Sequence, residues 1–398
     1  MFGNKVITDE NKITEVLLRG VEEVIDKEHL KGRLIKGDRL CVKLGIDPTS
    51  PNIHIGRAVT LWKLREFQDL GHTAVLIVGD FTGQIGDTSD KESERPMLSE
   101  KEVNSNLKDY FKQAFKILDK NRTETQYNSE WLKKLGFMEI GKMADRFGLH
   151  EFSSRELIKK RIEAGKRVSL REVLYPLMQG YDSVAVKADV ELGGTDQRFN
   201  LLAGRAIQPL YNQNPQDIVI TKFPLIGTDC RKMSSSWGNV INITDEPGDM
   251  FGKVMSIHDE LMPQYLELAT RLPHEEIKNL IDQTKNGTNQ RNVKIRLAKE
   301  VVALYHGEKA AREASKEWEK VFSNKEMPSE IKEASGEGMK IVDFITEHAL
   351  ATSSSEAKRL LEQGAVSVNE VVVKEWGHIL KMGDVVRVGP RKFIKVSY

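Results

Sequence analysis

The sequence predicts a multidomain α/β protein built on a parallel sheet. Three features carry that expectation: short apolar β-branched runs, amphipathic stretches of helical length between them, and a change of texture after about residue 225. The chain has 398 residues, which at roughly 150 per domain is two to three domains. Hydrophobic residues are 39% and charged residues 30%, enough to bury a core, so a wholly disordered chain is excluded.

Residues 40–46 (Leu-Cys-Val-Lys-Leu-Gly-Ile) read as a buried strand stopped by Asp47-Pro48-Thr49. Ala58, Leu61, Trp62, Leu64, Phe67 and Leu70 then recur at helical spacing, and Gly71 ends the helix. Residues 73–79 form a second apolar strand and 217–221 a third. Strand, helix, strand at this spacing implies parallel strands joined by right-handed crossovers, with a ligand at their carboxyl ends. The loops at 47–57 and 80–95 lie at that end. Residues 104–166 read as charged amphipathic helix, part of an insertion into the sheet domain over about 100–190. From about 245 to 325 the pattern is helical, with Ile277, Leu280 and Ile281, then Ile295, Leu297, Val301, Val302 and Leu304. Residues 326–338 are acidic and glycine-bearing, as a linker is, and 338–398 form a separate small unit.

Lys and Arg total 60 against 59 Asp and Glu, a formal net charge of +1, which excludes a histone-like polybasic protein but not a local RNA-binding patch. The two cysteines, Cys41 and Cys230, sit in segments that read as internal and cannot make a disulfide scaffold, so a reducing cytosol is expected. The first ten residues lack the apolar core of a signal peptide. No run approaches ~18 uninterrupted apolar residues, so no membrane span is expected.

Two loops carry candidate chemistry. Pro48-Thr-Ser-Pro-Asn-Ile-His-Ile-Gly-Arg57 lies between a strand and a helix, where free N–H groups and the dipole favour phosphate. Gly56, without a Cβ, allows a flat ring such as adenine close to the backbone, and His54 and Arg57 can donate to a phosphoryl group. Arg231-Lys-Met-Ser-Ser-Ser-Trp-Gly-Asn239 combines cations, hydroxyls and a glycine, a set that can wrap a pyrophosphate. Each alone also suits an ordinary turn; together they are far more specific.

The pair, a His-Ile-Gly-Arg loop after the first strand and a Lys-Met-Ser-Ser-Ser loop after the last, resembles the HIGH and KMSKS motifs of class I aminoacyl-tRNA synthetases. Arg57 stands in place of the second histidine and Ser235 in place of the second lysine; Arg231 is a candidate to replace that lysine on the pyrophosphate. Tyr175, Gln179 and Asp182, at i, i+4 and i+7, share one helix face, where a phenol, an amide and a carboxylate can hold an ammonium and a second polar group. A partly buried polar stripe is the plain alternative. With Thr82-Gly-Gln-Ile-Gly-Asp87 and Glu191-Leu-Gly-Gly-Thr-Asp-Gln197, this segment resembles the bacterial tyrosyl-tRNA synthetase family over nearly the whole chain. The Gly-Gly-Thr-Asp-Gln run separates it from the tryptophanyl relatives.

The resemblance implies a Rossmann-like catalytic domain over 1–225, a motif loop and α-helical anticodon-binding domain over 226–330, and an RNA-binding domain over 338–398. It implies that tyrosine is activated by ATP to tyrosyl-adenylate and pyrophosphate, then passed to the 3′ end of tRNA(Tyr). The catalytic set would be His54, Gly56, Arg57, Lys232, Ser234, Ser235 and Ser236. ATP would be held by Asp47, Thr49, His54, Gly56, Gly194, Asp196 and Lys232, with Lys91 and Arg95 reaching the pyrophosphate and Asp196 on the ribose. Asp87, Tyr175 and Gln179 would hold the tyrosine ammonium, Asp182 would read the phenol and Gln197 would face the carboxylate. Mg²⁺ would arrive with ATP, and no structural metal is expected. Many relatives carry a second phenol-reading tyrosine on the first strand, where this chain has Lys43. The resemblance also implies a homodimer formed through the inserted helices.

In the tail, Ser353-Ser-Ser-Glu356 matches a capping box opening a helix that Gly364 stops, followed by strand, turn, strand over 366–374. From 339 to 398 nine Lys and Arg face seven Asp and Glu, too slight an excess to argue RNA by charge. The helix–Gly–Val–x–Val–Asn pattern resembles a small ribosomal-protein-type RNA-binding domain, which implies that Lys358 and Arg359 contact phosphates. Other readings are a tryptophanyl enzyme on the same sheet, a non-catalytic RNA-binding protein on a retired synthetase body, and a small-molecule nucleotidyltransferase, which would need neither the tail nor the helical region.

Overall fold

The computed structural model describes residues 5–87, 97–222, 224–285, 290–322, 331–389 and 392–398. The chain divides into two compact units, Met1–Glu308 and Lys309–Tyr398.

The first unit is organised by a six-stranded sheet of β1 (Val21–Ile25), β2 (Cys41–Ile46), β3 (Thr73–Val78), β4 (Thr123–Tyr127), β5 (Val190–Gly194) and β6 (Asp217–Thr221). Their order is β1-β6-β5-β2-β3-β4; β1 is antiparallel and the rest are parallel. The chain runs outward from β2 through β3 to β4, then returns to β5 on the other side of β2. The order therefore reverses between β2 and β5, and the loops leaving Ile46 and Gly194 part to open a crevice at the carboxyl edge. β2, β3, β5 and β6 are nearly continuous buried runs, as strands covered on both faces must be.

The helix Ile55–Asp69 follows β2, packs on β2 and β3, and buries Leu61, Leu64 and Phe67. Gly71 closes it at φ +97°, a conformation open chiefly to glycine. The helix Leu170–Val186 opens with a Ser169/Glu172 capping box. One of its faces joins Leu177 and Val184 to Ala203 and Ile207 of the helix Arg198–Ile207. Gly180 makes that approach possible, since a Cβ there would come within 2.7 Å of Ile207 Cδ1 and 3.0 Å of the Ala203 carbonyl carbon. Its other polar residues, Tyr175, Gln179 and Asp182, are buried as well.

Three strands depart from the sequence reading. β4 lies inside what reads as a purely helical insertion, β1 lies in a segment given no strand, and Lys332–Ser335 lies in the expected linker and forms an edge strand. All three sit at sheet edges and carry polar or charged side chains (Val-Glu-Glu-Val-Ile, Thr-Glu-Thr-Gln-Tyr, Lys-Glu-Ala-Ser), so no apolar run announces them. Cys230, read as internal, is exposed, while Cys41 is half-buried. Helices Pro247–Met255, Met262–Leu268, His274–Lys285 and Gln290–Phe322 occupy the stretch with helical periodicity, and the last is broken at Gly307, with φ 84° and ψ 163°.

In the second unit the expected helix and strands are present. β7 (Lys332–Ser335), β8 (Val366–Val368), β9 (Val371–Val372), β10 (Val385–Val388) and β11 (Lys392–Ser397) form a sheet of order β7-β11-β10-β8-β9. Ile341, Phe344, Leu361, Val366, Val386 and Val396 are among its core. Ser353 caps the helix Ser354–Glu362 by accepting from the Glu356 N–H, but the Glu356 carboxylate takes the Thr352 N–H rather than that of Ser353, so the box closes one residue early. Among the described residues no helix is long and apolar enough to cross a membrane.

Candidate active site

The two motif loops meet at the carboxyl edge. His54 ends the first loop as the N-cap of the helix Ile55–Asp69, its Nδ1 accepting from the Arg57 N–H at 3.3 Å. Burial, with Arg57 and Lys232 adding repulsion, drives its imidazole down to about 3, so it is neutral and offers an Nε2–H as donor. Gly56 is needed by its neighbours: a Cβ there would stand 3.0 Å from His54 Nδ1 and 3.4 Å from Met233 Sδ of the second loop. Arg57 turns its guanidinium onto its own loop, donating to Thr49 Oγ1 at 2.7 Å, the Asp47 carbonyl at 3.3 Å and the Tyr110 hydroxyl at 3.2 Å. It thus shapes the loop in which the sequence reading made it a phosphoryl donor. Asn106 and Gln113 of the insertion fasten the same loop by donating to the Pro48 and Pro51 carbonyls.

The second loop is clipped by Asn239, which accepts from the Ser234 N–H at 2.8 Å and donates to the Lys232 carbonyl at 3.0 Å. Gly227 leaves it room, since a Cβ would meet the Asn239 Nδ2 at 2.6 Å. Lys232 reaches Asp196 Oδ2 at 3.0 Å, and Ser235 Oγ meets Ser50 Oγ at 3.2 Å, so the loops touch directly. Ser234 stands in the N-cap position of the short turn Ser235–Trp237, its side chain making no capping bond. Arg231, the candidate to replace the second lysine, pairs with Asp229 and lies 4.8 Å from the Trp237 ring centre. Asp229 is held down to about 2, chiefly by the Asn239 amide. Lys91, Arg95 and the Ser236 side chain lie outside the described residues.

On the helix Leu170–Val186, Asp182 is 4% exposed and accepts from Trp131 Nε1 at 2.8 Å and Asn128 Nδ2 at 3.3 Å. Burial lifts its carboxyl to about 7 even though Lys43, Trp131 and Asn128 pull it down. Tyr175 donates to Asp47 Oδ2 at 2.9 Å, and Thr82 donates to Asp47 Oδ1 at 2.7 Å. That carboxylate lies against Gly79, where a Cβ would be 2.1 Å from Asp47 Oδ1. Burial raises the Tyr175 phenol, and the nearby carboxylates of Asp47, Asp87 and Asp182 raise it further. The carboxylates of Asp47 and Asp87 at this place complement a positively charged ligand group. Asp87 accepts from Asn200 Nδ2 at 3.2 Å, and Gln197 folds back so that its Oε1 accepts from the Gly194 N–H at 3.3 Å. Gln179 donates to Glu191 at 3.0 Å, while Lys43 is fully buried beneath it.

Sequence reasoning does not single out Trp131, Asn128, Glu191 or Asn239, nor Thr82 within its glycine-bearing loop. Asn128 and Trp131 follow the polar edge strand β4 and carry no local signal. Glu191 carries one: it and Lys43 are opposite charges in the middle of apolar strands. Among the described residues one group could close on a metal, Asp26, His29 and Asp217. It lies at the amino end of β6, away from the crevice, and Arg205 already stands 3.7 Å and 3.8 Å from its two carboxylates.

A largely parallel sheet with two motif loops and a cluster of buried polar side chains at its switch point has the crevice where α/β enzymes bind their ligands. The chain belongs to the class I tRNA synthetases (W and Y), whose family model matches residues 36–323. An S4 domain model matches residues 339–386. It is 45% identical to the tyrosine–tRNA ligase of Dehalococcoides mccartyi over 97% of this chain and 98% of that one. It is 46% identical to the tyrosine–tRNA ligase of Thermotoga maritima, covering 98% of each. Among solved structures, tyrosyl-tRNA synthetase from Archaeoglobus fulgidus complexed with L-tyrosine superposes with TM-score 0.61 at 22% identity, covering 77% of this chain and all of that one, a likeness of fold.

Proposed function

We propose that the chain is a tyrosine–tRNA ligase that activates L-tyrosine with ATP and passes it to the 3′ end of tRNA(Tyr). The observation that carries this reading is the buried Asp182 carboxyl on the same helix face as Tyr175 and Gln179, a polar terminus to which a ring hydroxyl can donate. The near-full-length likeness to tyrosine–tRNA ligases supports it.

The substrate carboxylate attacks the α-phosphorus of ATP. A mixed anhydride of carboxyl and phosphate forms, and the bond to pyrophosphate breaks with its electron pair leaving on pyrophosphate. A carboxylate is already a nucleophile, so the chain's work is positioning and charge stabilisation. His54 Nε2–H and Lys232 donate to the phosphates, with Ser234, Ser235 and the Gly56 backbone closing around them. Asp47, Thr49, Gly194 and Asp196 lie where the nucleoside would sit. Asp87, Tyr175 and Gln179 face the ammonium, Asp182 accepts from the phenol hydroxyl and Gln197 stands at the carboxylate end. Mg²⁺ would come as part of the ATP substrate and would supply charge neutralisation on its phosphates.

The tRNA would bear on the second unit, where Lys358 and Arg359 are exposed on the helix Ser354–Glu362. Phe137, Met138, Leu149, Leu170 and Leu174 are exposed apolar side chains of the insertion and suit a second copy of the chain, giving a homodimer. A reducing cytosol suits its cysteines, both free. The test is pyrophosphate exchange into ATP with each of the twenty amino acids, followed by tRNA charging. Exchange with tyrosine alone is expected; exchange with tryptophan, or with none, would refute the assignment. Light scattering of the purified chain reads the dimer.

A further inference from the structure

Lys43 and Glu191 are both fully buried, and they face each other in register on the adjacent parallel strands β2 and β5. The Lys43 ammonium uses its donors on the Gln179 carbonyl at 3.1 Å, Ser183 Oγ at 2.8 Å and Glu191 Oε1 at 2.9 Å. Glu191 is equally saturated: Oε1 also accepts from Gln179 Nε2 at 3.0 Å, and Oε2 accepts from Ser183 Oγ at 3.0 Å and from Gln216. Packing alone gives no reason for these charges, because a buried ion pair contributes no more stability than an apolar pair of similar volume. Its effect is on Gln179, which it grips at the backbone carbonyl and at the side-chain nitrogen. A carboxylate can only accept, so Glu191 decides which end of the Gln179 amide faces inward. Among the described residues Gln179 Oε1 carries no hydrogen bond and is left as an acceptor, one helical turn from Tyr175, whose phenol feels the carboxylates of Asp47 and Asp87.

We propose that Lys43 and Glu191 are positioning residues for amino-acid recognition: the buried pair fixes the Gln179 amide with its oxygen outward, where it receives the substrate ammonium, without touching substrate itself. This rests on the reading of the crevice as a tyrosine site. Gln179 turned the other way would present an N–H to a cation, so the orientation converts directly into affinity for the ammonium.

The experiment compares wild type with the apolar double variant K43M/E191L and the isosteric E191Q. Its readouts are circular dichroism with thermal melting, steady-state exchange kinetics, and equilibrium binding of L-tyrosine and of 3-(4-hydroxyphenyl)propanoate, which lacks the ammonium. The double variant is expected to fold and melt no lower than wild type. Its KM for tyrosine should rise about 10- to 100-fold with kcat and the KM for ATP little changed, the pattern of lost ground-state binding. The desamino analogue should bind within about twofold of wild type, because only the ammonium-dependent part of the affinity is removed. E191Q, with one acceptor oxygen to share, should show a smaller loss with the same dependence on the ammonium. Folded variants that bind tyrosine as wild type does, or that weaken tyrosine and its desamino analogue equally, would overturn the proposal. If the double variant does not fold, E191Q decides by the same criterion. Wild type lacking tyrosine-dependent exchange would instead sink the tyrosine reading itself.

Discussion

The two ends of the crevice are built by different means. At the proposed phosphate end the groups come from two short contiguous loops, each held by its own residues: Arg57 and the insertion for one, Asn239 for the other. At the proposed amino-acid end they come from separated elements, Asp182 from one helix, Trp131 and Asn128 from beyond β4, and Lys43 and Glu191 from two strands, and all but the half-buried Trp131 are buried. Phosphate carries its own charge and meets donors on short loops at a more open edge, where Lys232 and Ser235 keep some exposure although His54 is buried. A phenol hydroxyl differs from hydrogen only by one polar atom, and that difference counts only where water is excluded.

Breaking the buried end should therefore cost the most selectivity. Asp182→Ala is expected to remove most of the preference for tyrosine over phenylalanine. That preference is on the order of 10⁵, a scale set by tyrosine-reading enzymes in general and not by this geometry. The ratio of kcat/KM for the two amino acids in pyrophosphate exchange checks it. Breaking the open end should cost rate without selectivity: Lys232→Ala should lower kcat for activation by ~10²–10³, the scale for removing one preorganised donor, while the KM for tyrosine stays within a few-fold.

Acidity sharpens the contrast. Asp182 titrates near 7 in the folded chain against an ordinary 3.8, so between those values the folded state holds a proton that the unfolded state has released. Stability from this group is complete below about pH 4 and is lost as pH rises through about 7. Asp182→Asn should thus gain stability over wild type at pH 8, by a few kcal/mol as read from denaturant melts, since each pH unit between the folded and unfolded titrations is worth ~1.4 kcal/mol. Tyrosine binding runs the other way: its KM should fall as pH rises to about 7 and the carboxylate becomes a full acceptor. His54, neutral above about pH 3, should add no inflection near pH 6 to the activation profile. The smallest effect belongs to the second unit. Lys358→Ala and Arg359→Ala should each reduce the salt slope of tRNA binding by about 1 and leave tyrosine activation unchanged.

The same contrast explains what is legible in the sequence. Loops made of neighbouring residues leave a motif, and so His54, Gly56, Lys232 and the serines can be read from residue order alone; the buried apolar strands and the helix Ile55–Asp69 announce themselves by periodicity. Trp131 and Asn128 act on Asp182 from 51 and 54 positions away, and nothing in their own surroundings in sequence points there. The role of Arg57 is hidden in the sequence because only the folded loop brings Thr49, Tyr110 and the Asp47 carbonyl around its guanidinium. Edge strands β1, β4 and β7 escape because one buried face, or none, leaves no apolar alternation to read.

The central claim is that a nucleotide and tyrosine lie side by side across the parting of β2 and β5. A crystal structure with a non-hydrolysable tyrosyl-adenylate analogue tests it most directly. The account predicts the ring hydroxyl within about 3 Å of Asp182 and the adenine between the His54 and Lys232 loops. An analogue bound in the reverse sense, or a crevice left empty at saturating concentration, would contradict it.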